Sequence, residues 1–155
     1  MPEMDILIRE ARIGDLAALV AMFAEDAVGG HGDTTDPAAF GDYERAFAII
    51  EASPDQTLYV AERDGEVVGT FQTMFITALT GRGSASMIIE AVQTRSDLRG
   101  QGIGARMIDF CIDEAKRRDV RLVQLTSNVK RKDAHRFYER LGFQPSHLGF
   151  KMVLK

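Results

Sequence analysis

With a single cysteine among 155 residues, the chain has no means of closing an internal disulfide. Cys111 falls in line with Met107, Ile108 and Ala115 at helical spacing, so it reads as a core residue rather than a nucleophile. Long apolar runs are missing as well. None approaches the ~18 residues that would cross a bilayer, and Met1-Pro2-Glu3-Met4-Asp5 lacks the basic start and apolar stretch of a secretory signal. The expectation is a soluble, cytoplasmic protein with no membrane partner. Nor is there a basic tail, a zinc-ligand spacing or an aromatic-rich stacking strand, which argues against a nucleic-acid partner. His31, His135 and His147 are not spaced as metal ligands, and no metal is expected.

What is present is an apolar fraction of 45% in a chain the size of one ordinary domain. Residues 1–155 are therefore expected to form a single domain around one core. Charge is unevenly spread: residues 1–94 hold 5 Lys/Arg against 16 Asp/Glu, a net of −11, and residues 95–155 hold 14 against 7, a net of +7. An acidic first part and a basic second part suit a cationic acceptor and an anionic cofactor respectively, and a solvated pattern without further meaning is the competing reading.

Asp5 to Arg12 contains a strand-like stretch, and Leu16, Leu19, Val20 and Phe23 repeat at helical spacing behind Asp15, a suitable cap or first-turn residue. The Gly-, Asp- and Thr-rich stretch from Asp26 to Asp42 reads as a loop, a candidate lid for the acceptor, ahead of a second helix over about Tyr43 to Ala52. Thr57 to Arg63 and Glu66 to Phe75 are strand-like runs joined by Asp64-Gly65, which suits a tight type I′ hairpin turn. After a turn at Gly81-Arg82-Gly83-Ser84, Ser86 to Thr94 is apolar on both faces except for Glu90 and Gln93, the pattern of a central buried strand. A helix follows over Gly104 to Arg118, then a strand over Leu122 to Thr126, a short helix over Asp133 to Leu141 stopped by Gly142, and a last strand over Gly149 to Leu154.

Between the central strand and the long helix lies Arg99-Gly100-Gln101-Gly102-Ile103-Gly104. A glycine turn opening a helix converges free backbone N–H groups on an anion, with the helix dipole behind them. A Walker loop is excluded because Gly102 is followed by Ile103 and Gly104 rather than Lys and Ser/Thr. A dinucleotide fingerprint would open the first strand-helix unit with a different glycine spacing, whereas most of this chain precedes Gly100, which leaves that reading as the runner-up.

The pattern Gln/Arg-x-x-Gly-x-Gly/Ala is met by Arg99, Gly102 and Gly104. Together with Ile88-Ile89-Glu90-Ala91-Val92 upstream and Ala134-His135-Arg136-Phe137-Tyr138-Glu139-Arg140-Leu141-Gly142-Phe143 downstream, it resembles the GNAT N-acetyltransferase superfamily over nearly the whole chain. The resemblance implies an α/β (α+β) three-layer fold, a mixed twisted sheet of six to seven strands flanked by about four helices. It also implies acetyl-CoA as co-substrate and direct acetyl transfer to a primary amine. The preferred acceptor is a small molecule such as an amino acid, polyamine or antibiotic-like amine. A protein lysine or N-terminal amine, or a non-catalytic coenzyme A-binding regulatory module, is the alternative, and a homodimer is a possible assembly.

By the same resemblance, the backbone around Arg99, Gly100, Gln101, Gly102, Ile103, Gly104 and Ala105 would hold the cofactor pyrophosphate. Val92 and Thr94 would pair with its pantetheine arm, and Asn128 would line the opposite wall. The N–H of Val92 is the implied oxyanion donor. Glu90 is the implied base, with a structural carboxylate as the competing reading, and Tyr138 is the implied proton donor to the departing thiolate, with a core tyrosine as the competing reading. A phenol of pKa about 10 facing a thiol of about 8.5 makes full proton transfer uphill by about 2 kcal/mol, so a hydrogen bond to the thiolate would be its main contribution. His31, Asp33 and Tyr43 are further candidates for contacting the acceptor.

Overall fold

A computed structural model describes residues 5–26 and 31–155, and they fall into two compact units, residues 1–125 and 126–155. The leader reading at Met1–Met4, and residues 27–30 of the expected lid, lie outside the described residues. The first unit runs β1 (Leu7–Glu10), α1 (Leu16–Ala24), α2 (Phe40–Ala52), β2 (Gln56–Arg63), β3 (Glu66–Thr77), a single turn α3 (Thr80–Gly83), β4 (Ala85–Thr94), α4 (Ile103–Arg117) and β5 (Leu122–Leu125). Its strands form one sheet in the order β1-β2-β3-β4-β5, antiparallel except for the parallel β4–β5 pair.

Neighbouring residues of a strand point to opposite sides of the sheet, and β2 shows what each side carries. Val60 packs with Leu19 and Met22 of α1, while Tyr59 stacks on Phe71 of β3 at 4.9 Å and meets Phe110 of α4 edge-on at 5.1 Å. Helices α1 and α2 therefore cover one face, joined through Leu16, Val20 and Phe47, and α4 covers the other. Helix α4 presents Ile103, Met107, Ile108, Cys111 and Ala115 inward, the spacing read from the sequence. Cys111 is buried in that face, and burial pushes its thiol up to about 12, as expected of a core residue. Gly69 of β3 lets α4 dock closely, since a Cβ there would sit 2.9 Å from Met107 Sδ.

Local chemistry explains where the elements begin and turn. Asp64 and Gly65 both have positive φ, 53° and 80°, and close the expected two-residue hairpin from Arg63 to Glu66. Asp15 accepts hydrogen bonds from Arg9 at 2.8 and 3.0 Å and from the Arg12 N–H at 2.7 Å, which fixes the chain just before α1. The Arg9 guanidinium holds the Asp15 carboxyl below its ordinary pKa. Helix α2 starts at Phe40, earlier than the expected Tyr43, because Asp36 caps a Pro37–Ala39 turn through the Ala38 N–H at 3.0 Å and Pro37 presets the backbone.

Two expectations need correction. Among the described residues the sheet has five strands rather than six to seven, and Gly149 to Leu154 form no strand: no ladder includes them. A strand needs a partner for its N–H and C=O groups, and this segment has none among the described residues. Secondly, β4 is buried only at Met87, Ile89 and partly elsewhere. Glu90 and Ala91 are exposed, because Glu90 pairs with Gln72 on the face that carries α1 and α2, and neither helix covers it. The second unit holds α5 (Lys132–Arg140), whose Tyr138 meets the rings of Phe137 at 5.1 Å and Phe143 at 5.8 Å edge-on. Gly142, at φ 100°, ends the helix as expected.

Two buried threonines of β3 give a paired stability test. Thr70 Oγ1 donates to Tyr59 O at 2.7 Å, whereas Thr73 Oγ1 has no partner among the described residues. A buried hydroxyl without a partner costs stability, and a partnered one contributes about 1 kcal/mol. Thr73→Val is expected to gain about 1 kcal/mol in urea unfolding, and Thr70→Val to lose about as much. Equal losses in both variants would contradict the assignment.

Candidate active site

Strand β4 leaves its regular ladder at one point. Gln72 pairs with Glu90 and Thr70 with Gln93, so Ala91 and Val92 together face the single residue Phe71. Ala91 adopts φ 52°, a left-handed conformation uncommon outside glycine. This is a β-bulge, which leaves one residue without its ladder partner and turns the strand. On the opposite edge of β4 the parallel ladder with β5 stops at Ile89 and Leu125. From Glu90 to Thr94 that edge has no strand partner among the described residues, and this is the stretch on which the resemblance places a pantetheine arm.

The chain then makes a turn over Ser96–Leu98, anchored by buried Leu98, and runs extended at Arg99. Gly100 and Gly102 take φ 78° and 87°, a region costly for residues with a Cβ, and Gly102 is the residue preceding α4. The first helical hydrogen bond of this turn runs from Arg106 N–H to Gly102 O at 3.1 Å. The N–H groups of Ile103, Gly104 and Ala105 therefore have no helical acceptor. Among the described residues no side chain caps this end, and no acidic residue stands in its first turn. The cradle fits an anion of pyrophosphate type, held by backbone groups and the helix dipole. Ile103 itself is buried, so only its N–H is available there. Arg63 donates to Gln101 Oε1 at 3.3 Å and ties the turn to the β2–β3 hairpin.

Glu90 stands beside this break, exposed and directly opposite Gln72. Gln72 Nε2 donates to Gln56 Oε1 at 2.9 Å, so its amide is oriented by β2. Gln56 and Gln72 were not singled out from the sequence; polar residues at alternating positions of neighbouring strands were the available signal. Ala91 was missed for a different reason, since nothing in an alanine announces a positive φ.

The remaining candidates are placed as follows. Tyr43 is committed to its own loop: its hydroxyl donates to Asp33 Oδ1 at 2.9 Å and accepts from the Thr34 N–H at 3.1 Å. Burial, with Asp33 adding to it, raises its pKa. His31 is exposed. In the second unit, Asn128 Oδ1 accepts the Lys130 N–H at 2.9 Å, and Asn128 O accepts from Arg131 N–H at 2.9 Å and from His135 Nε2–H at 2.8 Å. Its side chain thus shapes the turn leading into α5. Two clefts of about 480 and 340 Å³, one between α1 and the β2–β3 turn and one beside α2, contain none of the sequence-predicted site residues.

Residues 17–143 match the acetyltransferase (GNAT) family. The aminoalkylphosphonate N-acetyltransferase of Salmonella typhimurium is 35% identical over 112 residues, 72% of this chain and 72% of that one. A crystal structure described as a transcriptional regulator from Bacillus halodurans is 42% identical, with a TM-score of 0.92 over 96% of this chain and 99% of that one. Glucosamine-6-phosphate N-acetyltransferase from Arabidopsis thaliana shares the fold at 20% identity, with a TM-score of 0.76 over 97% of this chain and 99% of that one.

The glycine turn yields a binding prediction. A valine at Gly102, where φ is 87°, puts a branched side chain at the mouth of the cradle and strains the turn. Gly102→Val is expected to weaken acetyl-CoA binding at least about a hundredfold, some 2.7 kcal/mol, in a protein whose circular dichroism is unchanged. Calorimetric titration measures it, and tight binding by the variant would overturn the cradle.

Proposed function

The chain belongs to the acetyltransferase (GNAT) family, and from that premise we propose that it transfers the acetyl group of acetyl-CoA directly to the primary amine of a small molecule. It is an acyltransferase, and acetyl-CoA is its co-substrate. The observation that carries the proposal is the coincidence on β4 of three features: the bulge at Ala91 and Val92, the end of the β5 ladder, and the exposed carboxylate of Glu90.

Bound acetyl-CoA supplies an activated thioester carbonyl; the chain's residues have to bind it, present a neutral amine and support the developing charge. An alkylamine of pKa about 10.4 is free base to only about one part in a thousand at neutral pH. Glu90 accepts the amine proton, directly or through a water. Gln72, oriented by Gln56, offers an adjacent polar group on the same face for positioning the amine. The N–H of Val92, released by the bulge, supports negative charge on the carbonyl oxygen. The amides of residues 101–105 hold the pyrophosphate, with Arg99 beside them. Val92 and Thr94 pair with the pantetheine arm, and Asn128 contributes to the cofactor wall. Tyr138 donates a hydrogen bond to the departing thiolate.

A small acceptor is supported by the Salmonella relative, whose named substrate is a small amine. Transfer to a protein lysine or N-terminus is the enzymatic alternative. A different reading, a coenzyme A-binding regulatory module without turnover, is favoured by one observation, the name of the 42% identical structure. An amine screen that follows acetyl-CoA-dependent thiol release separates them: release with small amines supports the proposal, and release with peptides alone moves the acceptor to proteins. Acetyl-CoA binding without release for any amine supports the regulatory module.

Two substitutions test the roles. Glu90→Gln is expected to lower kcat/KM on the order of a hundredfold and to remove the acidic limb of its pH profile, because a base acts only when deprotonated. An unaltered limb removes Glu90 as base. Tyr138→Phe is expected to lower kcat about tenfold, the ~1.4 kcal/mol of one charge-assisted hydrogen bond, with acetyl-CoA affinity almost unchanged. Normal kcat with lost affinity would make Tyr138 a binding residue.

A further inference from the structure

Helices α1 and α2 cover only part of the sheet face on which Glu90 stands. Leu58 packs against Leu16, Val20 and Phe47, and Val60 against Leu19 and Met22, so both helices lie over β2. The same face continues across β3, β4 and β5, because residues paired across strands share a side of the sheet. Next to the pair formed by Gln72 and Glu90 it carries Met74, Ile88 and Gln124, and one step further along the strands Ile76, Ser86 and Leu122.

The composition of these rows is unlike that of a solvated face. The outward side of an antiparallel sheet ordinarily carries polar residues, yet Ile76 is 47% exposed and Leu122 39%. Met74 and Ile88, half-buried, connect them to the Glu90 row. Glu90 is the only charged residue in the rows, and neither Lys nor Arg stands among them. A contiguous exposed apolar surface beside polar groups is the mark of a binding groove. Residues two apart on a strand are separated by about 6.7 Å, so this floor begins about 7 Å from the Glu90 row and reaches about 13 Å from it.

We propose that the floor receives the body of the acceptor, and that the acceptor is a primary amine on an uncharged apolar body without an anionic group. The inference rests on the reading of Glu90 as the base that receives the amine proton. With the nitrogen at Glu90 and Gln72, the rest of the molecule extends along β3 and β4 over Met74 and Ile88 toward Ile76 and Leu122. Each methylene laid there leaves water on one side and covers apolar side chains beneath it. An anionic end finds no cation in the rows and adds a like charge to that of Glu90.

The test is a matched series of primary amines followed by acetyl-CoA-dependent thiol release. With about half of each methylene covered, kcat/KM is expected to rise about twofold per carbon, on the order of fiftyfold from ethylamine to octylamine. The anion 8-aminooctanoate is expected to fall at least about tenfold below octylamine, since its carboxylate would be desolvated on the floor. Ile76→Asp combined with Leu122→Asp is expected to cut the octylamine-to-ethylamine ratio to about fivefold or less. Gln124→Leu, which extends the floor, is expected to raise that ratio about twofold. A ratio near unity in the parent chain, or a ratio that neither variant moves, overturns the floor while turnover itself leaves Glu90 as base intact. Calorimetry in the presence of coenzyme A separates the opposite failure. Octylamine binding that the Ile76 and Leu122 double variant loses, in a protein that releases no thiol with any amine, upholds the floor and contradicts the catalytic reading. Absence of both binding and release overturns both.

Discussion

The bulge at Ala91 is the constraint on which the candidate site depends. A regular antiparallel strand offers every N–H alternately to its two neighbours, and a fully paired β4 would have no backbone group left for a ligand. Placing Ala91 and Val92 opposite Phe71 breaks the β3 ladder at the position where the β5 ladder also ends. Two independent losses of pairing at one place leave the β5-side edge of β4 from Glu90 to Thr94 without a strand partner among the described residues. The strained φ of Ala91, 52°, costs free energy that the long antiparallel pairing on either side of it has to offset.

A break of this kind is useful only if the strand beyond it is held firmly, and α4 does that. Gly69 lets Met107 lie against β3 beside Gln93, so the helix docks directly over the region of the bulge. Burial of Ile103, Met107, Ile108 and Cys111 fixes the helix axis and hence the direction in which its uncapped amides point. Leu98 anchors the turn from below and Arg63 ties Gln101 from the side. The flexibility that Gly100 and Gly102 would otherwise bring is thereby confined to a small stretch of exposed backbone.

Much of this was legible in the sequence, for reasons that differ by element. Asp64-Gly65 and the Ile103 to Ala115 spacing are local signals whose physics involves only near neighbours, and both formed as read. The glycine turn was legible because only glycine takes φ near 80° cheaply, so the requirement is written in residue type. The bulge was not, since Ala91 owes its conformation to pairing across the sheet. Glu90 was read as buried because its strand neighbours are apolar, but burial is decided by what lies above a residue, and α1 and α2 stop short of it. The last strand failed in the same way: alternation in residues 148–154 specifies a face, while a ladder requires a partner that the described chain does not offer.

On the proposed assignment, donor and acceptor are recognised by different kinds of chemistry. The donor meets backbone, namely the amides at the head of α4 and the open edge of β4, and these depend on φ values and on helix docking rather than on surface side chains. The acceptor meets side chains, Glu90 and Gln72 on one sheet face, with Gln56 behind them. Substitutions on that face can retune the amine without disturbing the cradle, whereas a change at Gly102 or Ala91 alters the cradle for every amine alike. Acetyl-CoA use therefore follows from the fold as a whole, and the identity of the acceptor rests on a few exposed polar residues, where relatives of the same architecture have the freedom to diverge.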